Sequence, residues 1–354
     1  MTIVYCADLW HGGTCRMRCD ALRAAGHKLV EIDTTYVPTG VMGLSVRALR
    51  KLGYALDPSR ANERLVASIG RDKPQVVWID KGLCIIPHTL QAIRALVPKI
   101  QIVHYSPDDM MGGRHNQSRQ YLDSIPFYDL HVTTKSFNVQ ELYDIGARAV
   151  LFVNNAYSAD THRPIQIGSS DRLVLGGDVG FIGALEKDRA GALRFLADHG
   201  VHVRIWGGGW ERWANRNRHP NIIVGGRCLW GEEYARAICS FDVNLGFLRK
   251  LNRDLQTTRS VEIPACGSFM LAERTSEHLG LFVEGIEAEF FGSKEELLEK
   301  CCYYLAHSEE RKKIGEAGRA RCLRSGYSYD GHVGAVMDRL RRLTTDGKYT
   351  AARL

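Results

Sequence analysis

The chain has 354 residues, 45% of them apolar, with 35 glycines and only 10 prolines. This composition predicts two domains with sizeable cores and excludes an intrinsically disordered protein. The net charge of +7 favours anionic partners such as sugar nucleotides, phospholipid surfaces or nucleic acid, although its spread along the chain is also typical of a solvated surface.

The sequence lacks the usual signals for export, membrane insertion and metal binding. Residues 1–10 contain an acid and no basic cluster, which predicts a first strand rather than a signal peptide. No apolar run approaches the 18 residues of a membrane span. The 10 cysteines include no Cys-x2-Cys pair, and several lie in apolar runs. We therefore expect free thiols, no structural zinc, and a soluble cytoplasmic protein.

The N-terminal half alternates apolar runs with amphipathic stretches, a pattern typical of parallel βαβ units. Strands are predicted at residues 3–7, 28–33, 75–80, 100–105, 130–133 and 149–153. The loop after the first strand contains His11, Gly12, Gly13 and Thr14, whose glycines let backbone amides approach a substrate. It lacks the Gly-x-Gly-x-x-Gly pattern of a dinucleotide site. We predict a loop that contacts the acceptor or a phosphate.

A second loop of interest follows the strand at residues 100–105 and contains Asp108 and Asp109. The pair is not the Asp-x-Asp metal motif, and no further carboxylates cluster with it in the sequence. One acid is as well suited to capping the loop as to chemistry. Asp108 is our candidate for chemistry.

A polar stretch from Asn154 to Asp171, which includes Pro164, predicts an interdomain linker. We predict an N-terminal domain at residues 1–156, a linker at 157–175 and a second domain at 176–327. A helix at 328–344, with Val333, Met337 and Leu340 on one stripe, is predicted to pack back on the N-terminal domain.

The second domain begins with strands predicted at residues 178–183 and 201–206. Gly183 ends the first strand, and Lys187 and Arg189 follow at a helix start, an arrangement that suits a diphosphate. Gly207 and Gly208 form the loop after the next strand. The mixture of tryptophans and arginines at residues 210–218 would suit single-stranded nucleic acid, but it is short and isolated, so we expect no nucleic-acid partner.

The most charged connection spans residues 252–267, between strands predicted at 241–248 and 268–272. A loop carries Arg253 and Asp254, and a short helix carries Arg259 and Glu262 on one face, with Thr258 as its predicted N-cap. Pro264 and Gly267 keep this helix brief. The arrangement predicts a site for a phosphate joined to a polyol. The alternative is an ordinary βα connection with solvated or mutually paired charges.

This connection resembles a known family. Asp254 and Glu262 are eight apart, like the two acids of the Glu-x7-Glu motif of group 1 retaining glycosyltransferases of the GT-B fold. The run from Arg259 to Thr275 resembles the spore-maturation-type branch, and the likeness continues at 291–297, 303–306, 310–318 and 326–330. Asp254 departs from the motif, because its side chain is one methylene shorter than glutamate.

The resemblance implies an α/β protein with two Rossmann-like, doubly wound domains that face each other across a cleft. A nucleotide sugar would bind mainly on the second domain and the acceptor on the first, with no metal or cofactor. Arg189 and Arg259 would hold the phosphates, with Lys187 and Arg253 in reserve, and Glu262 would accept from the ribose. The predicted donor-site residues are Gly183, Lys187, Arg189, Gly207, Gly208, Arg253, Thr258, Arg259 and Glu262.

The implied reaction is transfer of a hexose, with retention, to a hydroxyl of a glycan, a lipid-linked molecule or a small molecule in polysaccharide biosynthesis. Asp254 and Asp108 are the predicted catalytic acids, although front-face attack needs no enzyme base. Contact with the anionic inner face of a membrane is a further expectation. The alternatives are a non-hydrolysing sugar-nucleotide epimerase, for which His104 and His278 are the suggestive residues, and a catalytically silent protein of surface-polysaccharide assembly.

Overall fold

The computed structural model describes residues 1–37, 40–113 and 116–345, apart from the side chains of residues 40–42, 44 and 47. The chain divides into two units. The first contains residues 1–154 and 251–253 and the chain from Tyr329 onward, and the second contains residues 155–250 and 254–328.

The first unit alternates strands and helices along the chain. Its elements are β1 Thr2–Ala7, α1 Thr14–Ala24, β2 Lys28–Asp33, α2 Gly40–Lys51, α3 Ala61–Asp72, β3 Val76–Asp80, α4 Pro87–Leu96, β4 Gln101–Ser106, α5 Arg119–Ser124, β5 Leu130–Thr133, α6 Asn138–Asp144 and β6 Val150–Phe152.

The second unit repeats the alternation, and one last helix returns to the first unit. The elements are α7 Ser169–Val174, β7 Gly177–Ile182, α8 Lys187–Asp198, β8 Val203–Trp206, α9 Trp210–Arg216, β9 Ile222–Val224, α10 Gly231–Cys239, β10 Phe241–Gly246, α11 Arg259–Ala265, β11 Met270–Glu273, α12 Ser276–Leu281, β12 Glu289–Phe291, α13 Lys294–Ala306, α14 Ser308–Arg324 and α15 Tyr329–Thr345. Within the first unit, α15 contacts α1, and the side-chain amide of Gln101 donates to the Leu340 carbonyl (2.8 Å).

Each unit contains one six-stranded sheet in which all neighbouring strands are parallel. The strand orders are β2-β1-β3-β4-β5-β6 and β12-β11-β10-β7-β8-β9. In the second unit, Leu271 packs with α8 and α13 in one core, whereas its neighbours Met270 and Ala272 pack with α10 and α11 in another. Burial on both faces explains why these strands are short, continuous apolar runs. The prediction of an α/β, doubly wound architecture is confirmed.

The structure also contains elements that the sequence analysis does not predict. Strands β9 and β12 have three residues each and lie at the two edges of the second sheet, so they are too short to show a period. Helix α7 falls within the stretch predicted as a linker. None of its residues is buried, so it has no apolar periodicity to reveal it. In the described part of the chain, no helix combines the length and apolar character needed to cross a membrane.

Candidate functional site

The candidate site lies at the carboxyl ends of the strands in the second sheet. From β7 the chain adds β8 and β9 on one side, and then β10, β11 and β12 on the other, so the strand order reverses between β7 and β10. Ligands of doubly wound sheets bind at such a switch point. The predicted residues Gly183, Lys187 and Arg189 directly follow β7, which ends at Ile182.

Arg189 is buried in the first turn of α8. Its Nη1 donates to the Ala184 carbonyl (3.0 Å) and lies 3.6 Å from the Glu186 carboxylate. Its Nε is buried and has no hydrogen-bond partner in the described part of the chain. Burial lowers the pKa of this guanidinium and the nearby charge of Arg259 lowers it further, whereas Glu186 raises it. A buried cation with an unused N–H donor suits an anionic ligand.

Arg259 reaches the same place from α11, of which it is the first residue. Its Nε donates to the carbonyl of Ile182, the last residue of β7 (2.6 Å). This hydrogen bond fixes the guanidinium at the end of the strand, where the charge acts on Arg189. Among residues 1–37, 40–113 and 116–345, the two Nη groups have no hydrogen-bond partner. The structure thus brings Arg189 and Arg259 together, with donors available for two phosphates.

The glycine loops after β7 and β8 touch each other. Gly183 donates to the Trp206 carbonyl (2.9 Å), and a Cβ at Gly207 would lie 2.2 Å from the Gly183 carbonyl oxygen. Gly207 also has a φ of +135°, a conformation that side chains disfavour. Gly208 differs, because a Cβ there would meet no atom within 4 Å. Of the two predicted glycines after β8, therefore, Gly207 is sterically required as glycine and Gly208 is not.

Lys187 is the first residue of α8, and its side chain is exposed. The preceding residue, Glu186, makes no side-chain hydrogen bond that caps the helix. The first turn of α8 therefore presents backbone amides and the positive end of the helix dipole beside Arg189. These features add to the positive potential at the end of β7.

Glu262 is buried on α11 and faces α10 rather than Arg259. Its Oε2 accepts a hydrogen bond from the Tyr234 hydroxyl (2.6 Å), and its Oε1 lies 3.7 Å from Nε2 of the buried His162. Burial lowers the pKa of His162, although the Glu262 charge opposes this shift. Tyr234 and His162 are absent from the predicted site, because no local pattern connects positions 162, 234 and 262.

Asp254 and Thr258 lie just before α11. Asp254 is buried, and its Oδ2 accepts from the Arg249 amide (3.4 Å). Its charge raises the pKa of Arg189, which places it in electrostatic range of the arginine pair. Thr258 occupies the position before the helix, but its backbone is helical and its side chain makes no capping hydrogen bond. The predicted N-cap role of Thr258 is wrong, since an N-cap side chain needs extended backbone to reach the helix amides.

Arg253 belongs to the first unit, where two carboxylates bind its guanidinium. Its Nε donates to Asp109 Oδ2 (2.6 Å) and its Nη1 to Glu141 Oε1 (2.9 Å). These bonds raise the pKa of Arg253. Burial alone would raise the pKa of Asp109, but the bond from Arg253 lowers it. Because two carboxylates already neutralise Arg253, it is poorly placed to serve as the predicted reserve for phosphate.

The two adjacent acids of the first unit have different surroundings. Asp109 accepts from the amides of Met111 (3.0 Å) and Gly112 (2.8 Å), which is the loop-capping role left open by the sequence. Asp108 forms an ion pair with Lys81 at the end of β3. The amide hydrogen bonds show that Asp109 is the acid that caps the loop.

The predicted loop of His11, Gly12, Gly13 and Thr14 connects β1 to α1. His11 is exposed, Gly12 has a φ of +88°, and Gly13 precedes the helix that begins at Thr14. The Gly13 amide donates to the Trp10 carbonyl (3.2 Å), and a Cβ at Gly13 would lie 2.8 Å from the Trp10 indole nitrogen. Close packing against Trp10 therefore requires glycine at this position.

Comparison with known proteins gives one sequence match and several structural ones. Residues 189–338 match the model of the family described as Glycosyl transferase-like. No curated protein matches the chain in sequence. Sucrose-phosphate synthase from Thermosynechococcus elongatus aligns with 12% identity and a TM-score of 0.65, over 98% of this chain and 100% of that one.

Two further solved structures show the range of activities on this fold. Alr3699/HepE of Anabaena, in complex with UDP and glucose, has 12% identity and a TM-score of 0.65, over 96% of this chain and 99% of that one. A Listeria monocytogenes protein assigned as a UDP-N-acetylglucosamine 2-epimerase has 10% identity and a TM-score of 0.57, over 100% and 99%. The chain has the GT-B fold.

The fold is common to transferases and to the epimerase, so it does not by itself decide the reaction. The family match separates them, because the matched family is described as Glycosyl transferase-like. The match covers most of the second unit and includes Arg189, Asp254, Arg259 and Glu262. Together, the match and the fold indicate an enzyme of the glycosyltransferase class, as the sequence analysis predicts.

Proposed function

We propose that the chain transfers a sugar from a nucleoside diphosphate sugar to a hydroxyl acceptor, with retention of anomeric configuration. The observation that carries this proposal is the meeting of Arg189 and Arg259 at the end of β7, where the buried Nε of Arg189 lacks a protein partner. Guanidinium groups match phosphate oxygens in charge and geometry. Alr3699/HepE, which has the same fold, is known in complex with UDP-glucose.

The chemistry follows from where charge develops. As the bond between the sugar and the diphosphate breaks, negative charge accumulates on the leaving phosphate. Arg189, Arg259 and the first turn of α8 stabilise that charge, so this step needs no metal ion. The acceptor hydroxyl attacks from the same face, and its proton passes to the leaving phosphate oxygen. Asp254 lies near the donor sugar and favours the positive charge at its anomeric carbon.

The remaining assignments concern the acceptor, for which we propose a site on the first unit, as in the family that the sequence resembles. The loop from His11 to Thr14 and Asp108 are the proposed contacts there. A glycan or a lipid-linked molecule of polysaccharide biosynthesis is the proposed acceptor, used in the cytoplasm or at the inner face of a membrane. The net charge of +7 suits an anionic bilayer surface.

The epimerase alternative loses support from the two histidines on which it depends. His278 is buried, with Nδ1 2.6 Å from the Glu273 carbonyl and Nε2 2.7 Å from the Ser260 hydroxyl. His104 is buried in the first unit, with Nε2 2.9 Å from the Lys81 carbonyl. Protein atoms already engage these rings, so neither histidine is suited to proton transfer on a sugar.

A nucleotide-sugar panel tests the proposed function. We expect the purified chain to release a nucleoside diphosphate from one UDP- or GDP-sugar, by slow hydrolysis or by transfer, in the presence of EDTA. A ligand at 100 times its dissociation constant adds about 2.7 kcal/mol of stability, so thermal shift can select that nucleotide first. Isomerised sugar nucleotide would instead support the epimerase, and no turnover would support the assembly protein.

A matched pair of variants connects the activity to the proposed site. Arg189→Ala should lower donor affinity at least ~10-fold, because a hydrogen-bonded charge contact is worth about 1.5–3 kcal/mol. Arg194→Ala on the same helix is the control, since Arg194 pairs with Asp198 at the surface (2.7 Å). Equal affinities for the two variants would contradict the assignment of Arg189.

A further inference from the structure

A cavity of about 270 Å³ lies in the first unit, at the carboxyl ends of β1 and β3. Its floor is buried and includes Cys15 at the start of α1 and Ile85 in the loop after β3. Its rim is exposed and includes Asp8 after β1 and Lys81 after β3. The cavity is therefore open to solvent, at the end of the sheet where ligands of doubly wound folds bind.

The walls of this cavity are mostly apolar. Burial raises the pKa of the Cys15 and Cys84 thiols to about 12, so both are neutral and act as small apolar side chains. At the rim, Leu56 and Tyr36 keep 38% and 39% of their surface exposed. Apolar surface around an open cavity favours a ligand with an apolar group, because such a ligand removes that surface from water.

Lys81 at the rim has a backbone conformation that side chains disfavour. Its φ is +58°, a value that glycine adopts without strain. The Lys81 amide donates to the Tyr105 carbonyl (2.8 Å), and Nε2 of the buried His104 donates to the Lys81 carbonyl (2.9 Å). These bonds hold the residue at the end of β3, where its ammonium forms an ion pair with Asp108. Because the backbone conformation does not favour lysine, its side chain is the part suited to a function at the cavity.

We propose that this cavity binds the acceptor, and that the acceptor is a hydroxyl compound with one ring-sized apolar group. The apolar group lies against Cys15, Cys84 and Ile85, and the hydroxyls lie at the rim, where Lys81 donates and the Asp8 carboxylate accepts. Pockets for drug-sized ligands measure about 300–1,000 Å³, so this smaller cavity holds one ring rather than an oligosaccharide. A bare sugar fits poorly, because apolar walls leave its hydroxyls without partners. The role in transfer rests on the proposed function, whereas the preference for an apolar group does not.

Three glucosides that differ only in the aglycone test this preference. We expect the whole chain, without nucleotide, to bind 4-nitrophenyl or hexyl β-glucoside at least ~10-fold more tightly than methyl β-glucoside in calorimetry, because only the first two bury apolar area in the cavity. Tighter binding of the 4-nitrophenyl compound supports an aromatic acceptor, and tighter binding of the hexyl compound supports a lipid-like one. Equal affinities for all three would overturn the proposal.

A variant that fills the cavity locates the preference. Ala55 lines the cavity, and the Gln120 side chain bonds both its amide (3.2 Å) and its carbonyl (2.7 Å), so Ala55→Phe changes the cavity rather than the backbone. This variant should bind the three glucosides with affinities within ~2-fold of one another, since no room is left to bury the apolar group. Ala24→Phe, at the exposed end of α1, is the control and should retain the preference. An unchanged preference in Ala55→Phe would contradict the assignment of the cavity.

Photolabelling locates the ligand without a variant. 4-Azidophenyl β-glucoside, irradiated with the wild-type chain, should label peptides that contain residues 54–58 or 81–85, and excess 4-nitrophenyl β-glucoside should prevent the labelling. Labelling confined to other peptides would overturn the site.

Lys81 is tested through the part that the three glucosides share. Lys81→Met should weaken binding of all three by similar factors of at least ~3-fold, because it removes a charged donor to their hydroxyls and leaves the apolar walls in place. Lys81→Arg should restore most of the affinity. Wild-type affinities in Lys81→Met would remove this residue from the site.

A transfer assay connects the cavity to the reaction. With the nucleotide sugar selected by thermal shift, the 4-nitrophenyl or hexyl glucoside should gain one sugar, detected by mass spectrometry, faster than the methyl glucoside does. A chain that hydrolyses the donor yet glycosylates neither apolar glucoside would overturn the role of the cavity as the acceptor site. If the chain turns over no nucleotide sugar, the proposed function fails, while the binding and labelling results still decide the preference of the cavity.

Discussion

Two buried arginines show how the same residue type acquires different roles. Arg18 on α1 is buried, and its Nε (3.0 Å) and Nη2 (2.8 Å) donate to the two oxygens of Asp80. Arg189 is also buried, but it keeps an unpartnered Nε and a neighbouring cation in Arg259. A buried donor without a partner costs free energy unless a ligand satisfies it. Arg18 therefore stabilises the first unit, whereas Arg189 is the residue that we propose binds an anion.

Arg259 makes the second contact that we assign to the diphosphate. Arg259→Ala should weaken nucleoside diphosphate binding by about 1.5–3 kcal/mol, the range for a hydrogen bond to a charged group, without unfolding the chain. Isothermal titration calorimetry measures the change, with Arg194→Ala as the control. Wild-type affinity in the Arg259 variant would remove this residue from the site.

Two roles are open to Glu262: a contact with the ligand, or a contact that joins two helices. If its carboxylate accepts from ribose hydroxyls, Glu262→Gln should bind the nucleoside diphosphate more weakly, and Glu262→Ala more weakly still, by about 1–3 kcal/mol. If it only joins α11 to Tyr234, then Glu262→Ala and Tyr234→Phe should lower the free energy of unfolding by similar amounts and bind normally. Titration with the nucleoside diphosphate and urea unfolding of the three variants separate these outcomes.

At the scale of elements, the site depends on two loops whose backbones are in contact. The loop after β8 approaches the loop after β7 at Gly207, where the carbonyl of Gly183 would be 2.2 Å from any Cβ. This contact orders the segment between β7 and α8, which leads to Arg189. The short helix α11 then adds Arg259 from the other side of the switch point. Strand ends and helix starts thus place the charges, and the glycine allows the loops to approach.

The two glycines of the β8 loop provide a matched test of this arrangement. Gly207→Ala should lower the free energy of unfolding by at least about 1–3 kcal/mol, because its φ of +135° strains an alanine and the Cβ also clashes with Gly183. Gly208→Ala should have little effect, since its Cβ would enter open space. Urea unfolding followed by fluorescence measures both, and equal midpoints for the two variants would contradict the loop contact.

For the molecule as a whole, acid stability depends on histidines buried in the first unit. Burial lowers the pKa of His104 and His332 to about 4, and burial and its neighbour His104 lower that of His131 to about 3. In the unfolded chain these rings take up protons near pH 6.5. Below that pH the unfolded state binds more protons than the folded state, so acid favours unfolding.

We therefore expect these histidines to leave the free energy of unfolding unchanged with pH above about pH 6.5. Below that pH the free energy of unfolding should fall as the pH drops towards about 4. Each pH unit in this window costs about 1.4 kcal/mol for each histidine. Urea unfolding between pH 7.5 and 4.5 measures the slope. His131→Phe should reduce it, whereas His202→Asn, which changes an exposed side chain, should not. A slope that His131→Phe leaves unchanged would count against this origin of acid sensitivity.

The sequence by itself determined the class of fold and the short helix at the centre of the site. Alternating apolar runs predict parallel strands because both faces of each sheet are buried, and all ten predicted strands are present. Pro264 and Gly267 limit α11 to Arg259–Ala265, as predicted. These outcomes depend on local chemistry: backbone geometry, apolar period and the positions of glycine and proline. The positions of Arg189 and Arg259 at helix starts follow from the same local rules.

The tertiary structure alone decided which charges are available and which are paired. Arg253 and Arg259 look equivalent in the sequence, yet Arg253 bonds to Asp109, 144 positions away, while Arg259 bonds to the end of β7. Glu262 likewise meets Tyr234 and His162, which no local spacing connects to it. Neighbouring elements, rather than any apolar pattern of their own, determine the formation of the edge strands β9 and β12 and of the exposed helix α7. An ion pair or an edge strand is specified by partners distant in the chain, and only folding brings those partners together.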